Sequence, residues 1–219
     1  NKLLFTIEKV GFPLDIEMLP GERILMAEHG ANKVTERHRD GTILWEYEIS
    51  EPLVAQRLKY GRTFIGSKQR LLILDRAKKV QFSYTSPNTS ETFMRAKRLP
   101  NGDIVCVTSY SRFYRLSSTG KQLKTFSVNV HTSGGRIAVL PNGHILIPEM
   151  YNDQVVEYNT SGAQVKRIPV NRPSVAALLP NGNLMVTCME EKRAVELDKN
   201  NKVVWQHKHE TRVTRAVRR

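Results

Sequence analysis

Aromatic residues make up only 7% of this 219-residue chain, and cysteine occurs twice. So few aromatics among the basic residues do not make a stacking platform for single-stranded nucleic acid. No apolar run approaches 18 residues, so no segment reads as a membrane-spanning helix. No window sustains a 3.6-residue apolar period, which argues against helix anywhere. No signal-type segment is present, and the chain opens on Asn1, which points to a processed or excised polypeptide. The six histidines are scattered and make neither a metal-ligand spacing nor a triad. Acid is the minority charge, with 21 Asp and Glu against 34 Lys and Arg, a net of +13. The hydrophobic content of 40% still supports a core in one all-β domain.

What the chain has is a period. Leu99-Pro100-Asn101-Gly102, Leu140-Pro141-Asn142-Gly143 and Leu179-Pro180-Asn181-Gly182 are near-verbatim copies. Leu19-Pro20-Gly21 and Leu58-Lys59-Tyr60-Gly61 are degenerate ones, so the steps are 39, 41, 41 and 39 residues. Each copy follows a short apolar strand and precedes another, such as Ile24-Leu25-Met26 or Ile145-Leu146-Ile147. A polar loop, a third strand, an Asn/Gly turn and a fourth strand complete the unit. Four short strands with turns every 8–12 residues make an antiparallel meander, and its repetition predicts a β-propeller, whose radial closure protects the sheet edges.

The expected fold is therefore all-β, with five complete four-stranded blades at about 12–49, 52–86, 93–130, 134–170 and 173–208. Residues 1–10 match a fourth strand, and 211–219 match a first strand. They are expected to be the last and first strands of a sixth blade, in a six-bladed ring seen incomplete; a five-bladed ring with two surplus strands is the alternative. Cys106 and Cys188 lie on second strands two blades apart. That is beyond the Cα separation of about 7 Å that a disulfide tolerates, so both are expected as buried free thiols.

Glu36, Glu157 and Glu196 occupy one repeat position. Trp45 and Trp205 end another column, in which Phe82 stands for Trp and Lys124 and Lys166 interrupt it. This pattern resembles the PQQ-like and NHL-type propeller repeats, and more distantly the six-bladed arylsulfotransferase-like propellers. The resemblance implies that the Trp column docks one blade on the next. The cofactor-binding residues of quinoproteins do not map onto this chain, so no cofactor and no metal are expected. Propeller lyases and sulfotransferases use a histidine near the channel. The enzyme alternative therefore rests on His29 or His131, with no catalytic residue assigned.

Charge is uneven. Residues 51–125 hold 15 basic and 4 acidic residues, a net of +11, and make a candidate nucleic-acid surface. Many of the lysines lie on outer strands, where charge also deters edge-to-edge pairing. Four residues before the motif position stand Asp15, Arg95, Arg136 and Arg215, all expected at the channel. Several guanidinium groups converging there suit an anion, but neutralisation by Asp15 and Glu28 in structural ion pairs is the favoured reading. The expected function is a non-catalytic binding module that presents one face to a protein or anionic partner. Glu28, His29, Arg95, Tyr110, Arg136, Glu149 and Tyr151 are the candidate contact residues.

Overall fold

The computed structural model describes residues 5–216. These form five four-stranded antiparallel sheets, each a simple meander in which every strand pairs with the next in sequence. The first blade is β1 (Pro13–Leu19), β2 (Arg23–Glu28), β3 (Lys33–His38) and β4 (Ile43–Glu48). The second is β5 (Pro52–Arg57), β6 (Thr63–Ser67), β7 (Arg70–Leu74) and β8 (Val80–Thr85). The third is β9 (Phe93–Arg98), β10 (Ile104–Thr108), β11 (Arg112–Leu116) and β12 (Gln122–Ser127). The fourth is β13 (Ala138–Val139), β14 (Ile145–Glu149), β15 (Gln154–Tyr158) and β16 (Gln164–Pro169). The fifth is β17 (Val175–Leu178), β18 (Leu184–Cys188), β19 (Arg193–Leu197) and β20 (Val203–Lys208). Among the described residues no helix is long and apolar enough to cross a membrane.

The repeated tetrapeptide makes the same turn each time. Gly102, Gly143 and Gly182 N–H donate to the carbonyls of Leu99, Leu140 and Leu179, at 3.0, 2.9 and 2.9 Å. The Asn side chains accept from the backbone N–H of Asp103, His144 and Asn183, at 3.1, 3.0 and 3.0 Å. Pro presets the first corner, Asn braces the second, and the glycines take φ of +93°, +82° and +82°. The turn is scaffold, and it fixes the register of the two inner strands of each blade.

Second strands are buried along nearly their whole length, third strands mostly so, and outer strands are largely exposed. The apolar faces therefore meet between blades. Val54, Phe64 and Ile73 pack on Phe93, Ile104 and Cys106 across the second and third blades. Val105, Phe113 and Phe126 meet Ile137, Ile145 and Val156 across the third and fourth. Trp45 packs against Ile65 and Leu72 of the second blade and donates its indole N–H to Arg76 O at 3.2 Å. Cys106 and Cys188 are free and buried, and burial pushes both thiols up, Cys188 to about 11. Neither is a ready nucleophile.

Two expectations need correction. The described parts of the terminal segments, 5–12 and 209–216, form no strand, so the sheets number five with no partial sixth. A strand is defined by a ladder partner, and neither segment pairs with another strand here. Their extremities, 1–4 and 217–219, lie outside the described residues. The first strand of the fourth blade also shrinks to Ala138–Val139, because the chain before it leaves the blade and enters the channel.

Candidate functional site

The loop that displaces this strand closes one end of the central channel. Gly134 N–H donates to Met94 O at 2.8 Å, and Gly135 N–H donates to Leu53 O at 2.9 Å. Thr132 Oγ1 donates to Ser174 O at 3.1 Å. The loop thus touches the second, third and fifth blades, and Gly134 sits against Leu14 of the first. Arg95, 2% exposed, secures it by donating to Gly134 O, to Thr132 Oγ1 at 2.6 Å, and to Ser174 O. Burial, and next the charge of Arg215, lower the Arg95 guanidinium to about 10.

Beyond this plug, toward the Leu-Pro-Asn-Gly turns, lies a cavity of about 180 Å³ lined by Lys97, Arg136, Val139, Ala176, Leu178 and Arg215. Arg136 spans the channel. Its Nε donates to Asp15 Oδ2 at 2.9 Å, and its Nη2 donates to Glu17 Oε2 at 3.2 Å and to Ala55 O at 2.8 Å. Burial opposes the Arg136 charge, but Asp15 and Glu17 outweigh it and hold the guanidinium above its ordinary value. Arg215, with its side chain 10% exposed, brings Nε to 3.4 Å from Asp15 Oδ1. Its Nε and Nη1 make no hydrogen bond. Lys97 is held below its ordinary value by burial, then by Arg136 and Arg215. Arg136 and Arg215 therefore share the two carboxylates Asp15 and Glu17, Arg95 feels the Asp15 charge from the plug, and Lys97 stands beside them with no carboxylate partner among the described residues.

The residues singled out from sequence divide into three sets. Arg95 and Arg136 converge on the channel, as do Asp15 and Arg215. Glu28 and Glu149 are buried, with their oxygens engaged inside the fold. Glu28 accepts from Arg37 Nη2 at 2.7 and 3.0 Å, from Gly11 N–H at 2.9 Å and from Thr35. Glu149 accepts from Tyr158 OH at 2.9 Å, Gln154 at 2.8 Å and Asn152 at 2.9 Å. On the opposite rim, Tyr110 and Tyr151 are exposed. Tyr151 lies 4.8 Å from the His131 ring and 5.1 Å from the Arg172 guanidinium, and its N–H donates to His131 Nδ1 at 3.3 Å. His29 packs edge-on to Phe12 at 6.5 Å, remote from that cluster. Lys97 is the channel residue that sequence reasoning passed over. Its column holds Glu17 and Gln56 in the preceding blades, and that change of charge was visible.

The buried carboxylates carry a pH dependence. Burial disfavours the Glu28 anion, but bonds from Thr35, Gly11 and Arg37 outweigh it and leave its pKa lowered from 4.5. For Glu36 burial is again outweighed, by Arg76, Arg57 and Arg23, and its pKa is also lowered. A lowered folded-state pKa gives stability that is present above the unfolded value and lost as pH falls through the folded one. Urea midpoints are expected to stay level from pH 6 to 5 and to fall below about 4.5. Glu28→Gln should flatten that fall, and an unchanged acid limb would count against the assignment.

These features define a β-propeller of five four-stranded blades among the described residues. The family model described as PQQ_2, outer membrane protein assembly factor BamB, matches residues 112–219, just under half of the chain. Solved propellers align over nearly its whole length. A protein of unknown function from Bacteroides caccae has a TM-score of 0.73 and 20% identity, over 85% of this chain and 72% of the other. A catalytically inactive virginiamycin B lyase variant from Staphylococcus aureus, solved with Quinupristin, has a TM-score of 0.69 and 16% identity, over 95% and 73%. The WD40 β-propeller domain of Doa1 has a TM-score of 0.66 and 14% identity, over 86% and 66%. At these identities the likeness is one of fold. No curated protein matches the chain in sequence.

Proposed function

We propose that this propeller is a binding module that receives an anionic group of its partner at the open end of the channel. The observation that carries the proposal is the excess of cations there: Lys97, Arg136 and Arg215 against Asp15 and Glu17, with Arg95 buried behind them in the plug. Like charges held together at a partly enclosed mouth raise the local potential and attract a counter-charge. The unbonded Nε and Nη1 of Arg215 are donors available to it. The rigid blades hold these groups in place, so little ordering cost accompanies capture.

The terminal segments pack on the first and fifth blades without joining a sheet. Ile7 lies against Gly41 as Tyr84 lies against Gly120 and Phe126 against Gly162, though Ile7 belongs to no strand. Val213 and Ala216 pack on Leu179 and Met185, and Thr214 Oγ1 donates to Pro13 O at 3.0 Å.

Phosphate, sulfate and citrate, each titrated to tens of millimolar, are expected to raise the melting temperature of the protein. A site with a Kd of about 1 mM gives about 2 kcal/mol at 50 mM ligand. Lys97→Met should weaken the response several-fold without loss of fold. No response to any anion, or an equal response in the variant, would overturn the proposal. Nucleic-acid binding through residues 51–125 is the competing outcome. It requires a steep decline of oligonucleotide binding with salt that Lys97→Met leaves untouched.

A further inference from the structure

At the first two seams between blades, a side chain two residues before the motif Leu reaches across and accepts from the next inner strand. Glu17 Oε2 accepts from Arg57 N–H at 2.7 Å. Gln56 Oε1 accepts from Arg98 N–H at 3.0 Å, and its amide donates to Arg98 O at 3.0 Å. The same column then reads Lys97 and Ala138, and the corresponding N–H groups belong to Val139 and Leu178. Lysine only donates, and alanine has no polar atom. At these two seams the side-chain acceptor has been removed, and at the third seam a cation stands in its place. Among the described residues no carboxylate lies within ion-pair distance of Lys97 Nζ.

The outer end of the same seam has changed as well. Trp45 fills it between the first two blades, and Phe82, under the Arg98 guanidinium at 5.9 Å, fills it between the next two. The third blade has Lys124 there. With both closures gone, the seam between the third and fourth blades opens into a cleft of about 680 Å³. Its floor is apolar, with Val105, the stacked pair Phe113 and Phe126 with centroids 4.5 Å apart, Leu140 and Ile145, and its rim carries Lys97, Arg115 and Lys124. Lys97, Val139 and Leu178 line both this cleft and the channel cavity, so the two lie on either side of the same side chains. The volume suits a drug-sized ligand, and the lining suits an apolar body with one anionic end.

We propose that this seam binds a small monocarboxylate with an apolar body. The carboxylate takes the place that the Glu17 and Gln56 acceptors hold at the first two seams, between Lys97 Nζ, the Val139 N–H and the free donors of Arg215. The body lies along Phe113 and Phe126. This rests on the anion-binding function proposed above and adds to it the nature of the ligand.

The test is a calorimetric titration of the whole chain with acetate, butanoate, hexanoate and octanoate, below micelle formation, with octanol as the uncharged control. Affinity is expected to rise about fourfold per methylene until the cleft is filled. Lys97→Glu supplies the missing carboxylate from within, so octanoate should weaken at least tenfold while the far-ultraviolet circular dichroism stays native. Lys97→Gln, which copies Gln56, should do the same if the Glu variant fails to fold. Equal affinity for acetate and octanoate would overturn the apolar part and leave the anion-binding function standing. Octanol binding as well as octanoate would overturn the role of the head group. Failure of every acid, with phosphate and citrate also silent, would overturn both proposals. Tighter binding of an N-acetylated dipeptide ending in free leucine would assign the cleft to a chain terminus and overturn the small-molecule ligand.

Discussion

Replacement of Asp15 by Ala is expected to lower the free energy of unfolding by about 3–5 kcal/mol, because it leaves buried cations without their counter-charge. Asp15 is fully buried. Its Oδ2 accepts from Arg136 at 2.9 Å and from Ala55 N–H at 3.2 Å, and its Oδ1 faces Arg215. Removing it leaves Glu17 as the one remaining carboxylate facing Arg136, with Arg215 and Lys97 close by. Ordinary domains have about 5–15 kcal/mol in total, so the loss would be visible as a large shift of the urea midpoint. Asp15→Asn keeps one acceptor for Ala55 N–H but gives up the charge and the second acceptor. The difference between the two variants should therefore be about 1 kcal/mol. Sulfate at tens of millimolar should restore part of the loss in both, since an ion bound only by the folded state stabilises it. A loss below about 1 kcal/mol in Asp15→Ala would mean that the channel cations are relieved by solvent instead.

The channel ring was legible because it follows the period. Once the Leu-Pro-Asn-Gly copies are aligned, Asp15, Arg95, Arg136 and Arg215 share one column, and equivalent strand positions point the same way. Departures from the period were harder to read. Glu28 reads as a rim residue because it ends a second strand. Its partner Arg37 lies on the third strand, and nothing in the repeat signals a buried arginine there. The plug was marked only by Gly134-Gly135, where three other copies carry proline near the start of the inner strand. Such a pair predicts freedom of the backbone but not the direction that the chain takes. Lys124 was legible as a break in the Trp column, and Lys97 as a break in the Glu/Gln column. That they open one cleft from both ends follows only from the radial order of strands within a blade. The terminal segments retain the side-chain pattern of strands, yet a pattern without a ladder partner does not make a sheet.

Gly134→Ala is expected to cost about 2–5 kcal/mol, and the control Gly182→Ala only about 1–2. Both glycines have positive φ, +93° and +82°, so the conformational strain on an added Cβ is of similar size. Their surroundings differ. A Cβ on Gly134 would meet Leu14 Cβ at 2.8 Å, with Leu14 Cδ1 and Cγ at 3.1 and 3.2 Å, whereas one on Gly182 meets nothing within 4 Å. The excess loss at Gly134 therefore measures the packing of the plug against the first blade. Relief would require the loop to withdraw, and withdrawal strains the hydrogen bond from Gly134 N–H to Met94 O and the bond from Arg95 to Gly134 O. Arg95 is too deeply buried to find water in exchange, so the clash at Leu14 becomes a cost at a guanidinium in another blade. Equal losses in the two variants, measured by urea unfolding, would show that the loop yields freely and does not seal the channel.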